Sequence, residues 1–403
     1  MKSKVSIVIP TRHRPDTLAK TLLTVVNQSH TDIEVIVSNN GCNAETRAVV
    51  ERLGDSRVRL VEPPQPLSMS HNFEFGMDHA TGDWLVLIGD DDGILPTGIE
   101  RGLRMLRESG AEALGSLACG YRWPVNGVPL PGAVLSIPMG SGWSWQSSER
   151  QMRRILRRDV GFNEAPMTYT GGMISADLFN RIKMRRGTFY HSQIPDAFSS
   201  FAFLSVIERY AFSHEPIAIA GVSSHSNGLA TLSMNADQFR EDTNIAFHPD
   251  LPLPAEGTLT FSFQAMLYES YLQTAYLRTG SEITNVTQQL AASIASARLY
   301  RGRSETDPRV YDATIRWVRQ TAAHHRLDYD AIVKESRRVT ITQTISFYRQ
   351  LIRDFASRYT LDDLIGTKIN DVYQASLAAD VIRVTKPNRL SSVVRTFKRR
   401  LAR

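Results

Sequence analysis

The sequence predicts an α/β protein, a Rossmann-like, mainly parallel sheet with flanking helices followed by an all-helical C-terminal domain. Three observations carry this expectation. Short apolar runs alternate with helical patterns over the first hundred residues, an order that calls for crossovers and a parallel sheet. The ends of three of those runs, at Pro10-Thr11, Asn39-Asn40 and Asp90-Asp92, are polar and fall on one edge of such a sheet, around one crevice. Beyond the proline-rich stretch 249–256, apolar residues recur at helical spacing nearly to the end.

In chain order, Val5 to Ile9 reads as a strand that stops at Pro10. Pro15 and Asp16 then open a helix, since proline suits the first turn and an acidic group the positive end. Leu18, Leu22, Val25 and Val26 form its apolar stripe. A second strand runs from Ile33 to Val37, and Thr46 to Leu53 is helical. Val58 to Val61 is a third strand, closed by Pro63-Pro64, and Ser70 to Ala80 is a helix. Thr81-Gly82 turns the chain into the apolar run Trp84 to Ile88, a strand buried on both faces. Shorter strands follow at Leu114 to Cys119 and Val134 to Ile137. Gly171 to Ser175 reads as a tight strand before a helix from Ala176 to Met184. Pro195-Asp196 begins another helix, and Ile217 to Ile219 is a strand leading into a flexible Gly221 to Gly228 stretch. Amphipathic segments around 261–279, 283–300, 309–324 and 340–357 complete the reading.

Length and composition bound the rest. A chain of 403 residues implies two or three domains, and 42% hydrophobic with 22% charged residues is ordinary for a soluble globular protein. Boundaries are expected at 1–248, a linker at 249–257, and 258–403. No apolar run approaches the roughly 18 residues of a membrane span, and the N-terminus has no secretory pattern. Cys42 and Cys119 give neither a disulfide framework nor zinc spacing, so a cytoplasmic setting is expected. Residues 255–403 hold 23 Lys+Arg against 14 Asp+Glu, while the rest of the chain is slightly acidic. Such asymmetry fits a C-terminal half that meets an anionic surface, or a helical region with many solvated arginines.

The pivot is Asp90-Asp91-Asp92, between the buried strand and Gly93 and Pro96. Three adjacent carboxylates repel one another unless solvent or a cation answers them. Hard oxygen ligands suit magnesium or manganese, ions that commonly sit on phosphates. A solvated acidic turn before a helix is the competing explanation.

From Val5 to about Ser233 the chain resembles the family 2 glycosyltransferases, which have the GT-A fold. The resemblance rests on Val5 to Thr11, the strand end Ser38-Asn39-Asn40-Gly41, Asn72 before Thr81-Gly82-Asp83, and the Asp90–Asp92 region with Pro96. Gly171-Gly172 and Pro195-Asp196 add to it. It implies an inverting, metal-dependent transfer of a sugar from a nucleoside diphosphate, with UDP the expected carrier. The acceptor would be a hydroxyl of a saccharide, a surface polysaccharide or a lipid-linked molecule. By resemblance, Pro10, Thr11, Arg14, Asn39, Asn40, Asn72, Asp90 and Asp91 bind the nucleotide sugar, Arg12 lying close behind the first strand. Aligning on Pro96 makes Asp90 the ribose contact and Asp91 the metal ligand, whereas a literal Asp-x-Asp selects Asp90 and Asp92. Asp91, Asp92 and His225 are therefore the candidate ligands for Mn2+ or Mg2+. Asn39 departs from the family's usual aspartate, although its amide oxygen still accepts a hydrogen bond. Asp196 falls at the catalytic carboxylate, with Pro195 in place of the usual glutamate.

Two other functions compete. A nucleotidyltransferase uses a similar sheet and acidic site but needs a glycine-rich phosphate loop, and Pro10 to Arg14 contains no glycine. A non-catalytic nucleotide-sugar-binding module would be expected to lack the carboxylates. Stripes such as Ile341, Ile345, Tyr348 and Ile352 imply packing between helices or subunits, hence a homo-oligomer. The last segment, Val393 to Arg403, holds five basic residues around a few apolar ones. It suits peripheral contact with the inner face of a membrane. No nucleic-acid partner is expected.

Overall fold

A computed structural model describes residues 3–124, 134–223, 263–279, 284–300, 308–339, 357–361 and 369–385. The first strand, β1 (Val5–Thr11), is the centre of the fold and is buried along its whole length. It pairs in parallel with β2 (Ile33–Asn39) and with β4 (Trp84–Leu87). β3 (Val58–Val61) continues the parallel set beyond β2. Side chains of a strand alternate between faces, and both faces here are covered. Val5, Ile7 and Ile9 pack with Leu18, Leu22 and Val25 of α1 (Pro15–Val26). Val8, Ile36, Leu85 and Leu87 meet Phe73 and Met77 of α3 (Met69–Met77), while α2 (Ala44–Leu53) lies beside α1.

Eight strands form this sheet in the order β3-β2-β1-β4-β10-β6-β11-β9. Its second half is mixed: β10 (Met173–Ser175) runs antiparallel to both β4 and β6 (Ala113–Ser116). β9 (Trp143–Ser147) and β11 (Arg209–Ser213) were not anticipated from sequence. β9 is only half-buried and lies between polar turns, and β11 follows its helix almost directly, so neither shows as a clear apolar run.

A second sheet has the order β13-β8-β7-β12-β5. The expected strand Leu114 to Cys119 is in fact two strands in different sheets, β6 and β7 (Cys119–Arg122). β8 (Leu135–Pro138), β12 (Ala218–Val222) and the two-residue β5 (Gly93–Ile94) complete it with β13 (Arg358–Leu361). β13 corrects the expectation of an all-helical C-terminal region. Its mix of Tyr, Thr and Leu suits a half-buried edge, and it pairs antiparallel with β8. Among the described residues, that region is otherwise mainly helical, as expected.

The remaining helices are α4 (Gly98–Ser109), α5 (Ser148–Leu156), α6 (Ala176–Lys183) and α7 (Pro195–Val206). C-terminal to them lie α8 (Phe263–Gln273), α9 (Val286–Tyr300), α10 (Pro308–His324) and α11 (Val372–Thr385), with residues 329–339 also helical. Met266, Tyr271, Leu290 and Trp317 share one core with Phe198 and Phe201 of α7. Val372, Ala375 and Ala379 of α11 close the second sheet over Cys119, Tyr121 and Leu135. The expected linker at 249–257, the stripe Ile341 to Ile352, the basic tail 393–403 and His225 lie outside the described residues. Among the described residues, no helix is long and apolar enough to cross a membrane.

Candidate active site

The three aspartates lie where the chain leaves the first sheet at Leu87 and enters the second at Gly93. Their backbone is pinned from α1, because the Thr21 hydroxyl donates to the carbonyls of Asp90 (3.0 Å) and Asp92 (2.7 Å). All three are buried, yet their partners differ in kind. Asp90 accepts the Thr11 hydroxyl at 2.7 Å and the Arg14 guanidinium at 3.1 Å, so one ion pair answers its charge. Burial still pushes its carboxyl up to about 6, against the pull of Arg14.

Asp92 is bound into the scaffold on both oxygens. Oδ2 accepts the Gly89 N–H (2.8 Å) and the Thr170 hydroxyl (2.5 Å), while Oδ1 accepts the Gly221 N–H (2.7 Å). Burial, then the neighbouring Asp91 carboxylate, pushes the Asp92 carboxyl well up. Asp91 accepts both the N–H (3.3 Å) and the hydroxyl (2.7 Å) of Ser223 on Oδ2, and its carbonyl accepts the Trp123 indole N–H at 2.8 Å. The stretch from Gly221, read from sequence as flexible, therefore begins with a strand end and a clamp on the acidic loop. Gly221 has a steric reason to be glycine: a Cβ there would lie 1.8 Å from the Asp91 carbonyl oxygen.

The edge expected to take the nucleotide assembles as the parallel register dictates. Pro10 lies beside Ser38 and Thr11 beside Asn39, and the Asn40 N–H reaches the Thr11 carbonyl at 2.9 Å. Pro10, Asn39 and Asn40 are buried. The Asn40 side chain exchanges two hydrogen bonds with the backbone of Leu67, each 2.8 Å, fixing the approach to α3. Asn72 accepts the Ser38 hydroxyl at 2.7 Å, so it braces the edge from behind. The Asn39 amide is turned into its own loop. It donates to Glu62 (2.7 Å) and to the Asn43 carbonyl (3.1 Å), and its oxygen accepts the Asn43 N–H (3.3 Å).

Asp196 stands on the first turn of α7, its Oδ1 accepting the Ala197 N–H at 2.9 Å. Its residue keeps part of its surface open, but crowding by protein pushes the carboxyl up to about 6. The segment 167–170 brings Asp196 and the aspartate loop together. The Thr168 carbonyl accepts from Leu87, its N–H donates to Ser199 of α7 (3.3 Å), and Thr170 holds Asp92. Tyr169, in the same segment, senses both acidic groups. Burial, then Asp92, Asp91 and Asp196, keep its phenol protonated far above its ordinary range. Sequence reasoning missed Thr21, Thr170, Tyr169 and Ser223. Only the paired glycines hinted at them: Gly171 has φ +106°, and a Cβ on Gly172 would strike the Met167 carbonyl oxygen at 1.6 Å.

The donor set fits one kind of metal. Among the described residues, no three His, Cys, Asp or Glu side chains gather into a protein-built cation cage. Hard divalent ions are also held by one or two carboxylates together with substrate phosphates. Each of the three carboxylates already holds partners of its own: Asp92 the scaffold, Asp90 Arg14 and Thr11, and Asp91 the N–H and hydroxyl of Ser223 on one oxygen.

The model of the family "Glycosyl transferase family 2" matches residues 6–177. Over 116 residues the chain is 28% identical to the GalNAc(5)-diNAcBac-PP-undecaprenol beta-1,3-glucosyltransferase of Campylobacter jejuni, covering 28% of this chain and 38% of that protein. Over 116 residues it is 31% identical to Protein CgeD of Bacillus subtilis, covering 27% and 26%. The chain thus spans well under half the length of these relatives. Among solved structures, S. aureus TarS 1-349 in complex with UDP-GlcNAc aligns at 13% identity and TM-score 0.46, over 86% of this chain and 92% of that one. The mannosyltransferase PcManGT of Pyrobaculum calidifontis, in complex with GDP-Man and Mn2+, aligns at 12% identity and TM-score 0.39, over 96% and 89%.

Proposed function

Because residues 6–177 belong to glycosyl transferase family 2, we propose that this chain moves a sugar from a nucleoside diphosphate to an acceptor hydroxyl with inversion. One observation carries the reading: the buried acidic loop is tied to the sheet edge through Thr11 and Arg14 and, through Thr170, to the segment whose Thr168 bonds Ser199 of α7, the helix that carries Asp196. The donor's base and ribose lie along Pro10, Thr11, Asn39 and Asn40, with Asp90 at the ribose. Uracil is the proposed base. Arg14, which Asp90 draws into the edge, is the proposed contact to the diphosphate. Asp91 is the proposed ligand of a divalent ion, Mn2+ or Mg2+. When bound, that ion supplies Lewis-acid neutralisation of the departing diphosphate.

Asp196 takes the proton from the acceptor hydroxyl. The oxygen forms its bond to the sugar's C1 as the bond from C1 to the diphosphate breaks, and the nucleoside diphosphate leaves with the electron pair. A base of this kind contributes about 10²–10⁴-fold, and burial has moved its affinity for the proton closer to neutrality. The acceptor is proposed to be a saccharide or lipid-linked molecule, the class named for the Campylobacter jejuni relative. Peripheral membrane contact accords with that choice. Leu377, Val381 and Val384 are exposed along one face of α11, and residues 386–403 hold seven Lys+Arg and no acidic residue. Self-association through the C-terminal helices is a further proposal, read by sedimentation equilibrium.

A panel of uridine and guanosine diphosphate sugars, assayed with and without manganese for nucleotide release and thermal stabilisation, tests the reading. Manganese-dependent release with at least one sugar nucleotide is the expected result. No stabilisation or release from any donor overturns it.

A further inference from the structure

The loop that carries the proposed base is held from two sides. On one side lies α3, which starts immediately after the Leu67 bracket on Asn40. Its Ser70 hydroxyl donates to the Ser192 carbonyl at 2.6 Å. Its Glu74 accepts the N–H groups of Phe189 (2.9 Å) and Tyr190 (3.0 Å) on one oxygen. On the other side lies the C-terminal region. The Ser192 hydroxyl donates to Glu269 Oε2 of α8 at 2.7 Å and meets the Ser270 hydroxyl at the same distance. Next to it, His191 packs edge-on against Tyr276 at 5.8 Å, and the Arg186 guanidinium covers the same ring at 3.9 Å.

Glu269 is out of place by the ordinary rules of packing. It is 2% exposed on a helix that also buries Met266, Tyr268, Tyr271 and Leu272. A carboxylate in such surroundings is costly unless its oxygens are met by donors. Here Gln273, one turn on, donates to Oε1 at 2.7 Å and Ser192 donates to Oε2. An apolar side chain would fill the same space at less cost but would leave the Ser192 hydroxyl without this acceptor. Ser192 stands four residues before Asp196, and its oxygen also accepts the Ile194 N–H at 3.4 Å, at the residue where α7 begins.

We propose that Glu269 is a positioning residue for the transfer reaction, fixing the 189–195 loop through Ser192 so that Asp196 faces the acceptor hydroxyl. The inference rests on Asp196 being the base. It gives the C-terminal helix α8 a part in the chemistry through a contact with the 189–195 loop. Donor KM, which the proposal assigns to Pro10, Thr11, Asn39 and Asn40, is expected to be unaffected by loss of the Glu269–Ser192 contact.

The test uses the full chain and compares Ser192→Ala, Glu269→Leu, their double variant, Glu269→Gln and Asp196→Asn. Ser192→Ala and Glu269→Leu are expected to lower kcat about 10-fold with donor KM unchanged, and to displace the acidic limb of the pH–rate profile. The double variant should be no worse than either single one, since both remove the same contact. Glu269→Gln, whose amide oxygen still accepts from Ser192, should stay within about twofold of the parent. Parent-like kcat in both Ser192→Ala and Glu269→Leu overturns the proposal. So does a loss accompanied by a raised donor KM and an unmoved pH limb, which is the mark of general loosening. If Asp196→Asn itself keeps full turnover, the base assignment has failed instead, and the two failures are distinguishable. Donor-induced thermal shifts confirm that each variant is folded.

Discussion

Arg14 Nη1 lies 3.1 Å from Asp90 Oδ1, and this pair joins the residue that precedes α1 to the acidic loop across 76 residues of sequence. The contact answers the charge of Asp90, while Asp92 and Asp91 rest on hydrogen bonds from Gly89, Thr170, Gly221 and Ser223. Arg14 is 20% exposed at its side chain and Asp90 only 3%, so the pair is screened on one flank alone.

Replacing Arg14 by Gln should therefore destabilise the fold by about 1–3 kcal/mol at pH 8, because it strands a buried carboxylate. Burial already raises the folded Asp90 carboxyl to about 6. A carboxyl raised on folding loses stability as pH climbs from its unfolded value through its folded one. Without Arg14 that window extends upward, so the deficit should be larger at pH 8 than at pH 5. Urea denaturation of parent and variant at both values, in the presence of a chelator, measures it. An equal deficit at both values would mean that Asp90 does not sense Arg14.

Asp91 and Asp92 should separate into two roles. Asp92 receives three scaffold hydrogen bonds, from Gly89, Thr170 and Gly221, and an amide in its place can accept only on one atom. Asp92→Asn is expected to lower the melting temperature by several degrees, corresponding to about 1–3 kcal/mol. Asp91→Asn should melt near the parent temperature but lose the stabilisation that manganese plus nucleotide sugar confers. Reversed outcomes would exchange the two assignments.

How much of this was readable beforehand follows from the range of the interactions. The parallel half of the main sheet was legible because β1, β2 and β4 are buried on both faces and so are written as short apolar runs. Local capping was legible too, as at Pro15 on α1. What was hidden was long-range and polar: Thr21, Thr170 and Ser223 are ordinary hydroxyl residues until the fold sets them 2.5–3.0 Å from the aspartate loop. The Asn39 amide, read as a base contact, is engaged by Glu62 and Asn43, which no spacing rule reveals. β13 was obscured because one edge strand among helices leaves only a four-residue trace.

Gly221→Ala should show how tightly the second sheet closes on the acidic loop. A methyl group 1.8 Å from the Asp91 carbonyl oxygen and 2.8 Å from the Trp123 indole nitrogen must push β12 away. That movement strains the Gly221 N–H bond to Asp92 and the Ser223 clamp on Asp91. Expected losses are about 2–4 kcal/mol of stability and at least 10-fold in donor affinity. Glycine at 120, where a Cβ meets nothing closer than 3.8 Å, provides the control: Gly120→Ala should be close to neutral.

Asp196 offers the sharpest test, because the same burial that suits it to be a base makes it a burden on the fold. Its carboxyl is raised from 3.8 to about 6 by burial, so the folded protein binds a proton there that the unfolded chain has released. Stability must then fall as pH rises from about 4 to about 6 and stay lower above that. A shift of about two units corresponds to about 3 kcal/mol, and partial exposure of the residue trims it to about 1–2. Asp196→Asn removes the charge while its oxygen can still accept the Ala197 N–H, so it should be more stable than the parent at pH 8 and nearly equal at pH 4. Turnover should move the opposite way, falling about 10²-fold or more while donor affinity holds. In the parent, kcat/KM should rise with pH to a plateau, with its midpoint near 6. Denaturation curves at pH 4 and 8, read beside a pH–rate profile, check both halves. A variant less stable than the parent at pH 8 would show that the carboxylate is held by partners that favour its charge, and would remove the physical basis for Asp196 as the base.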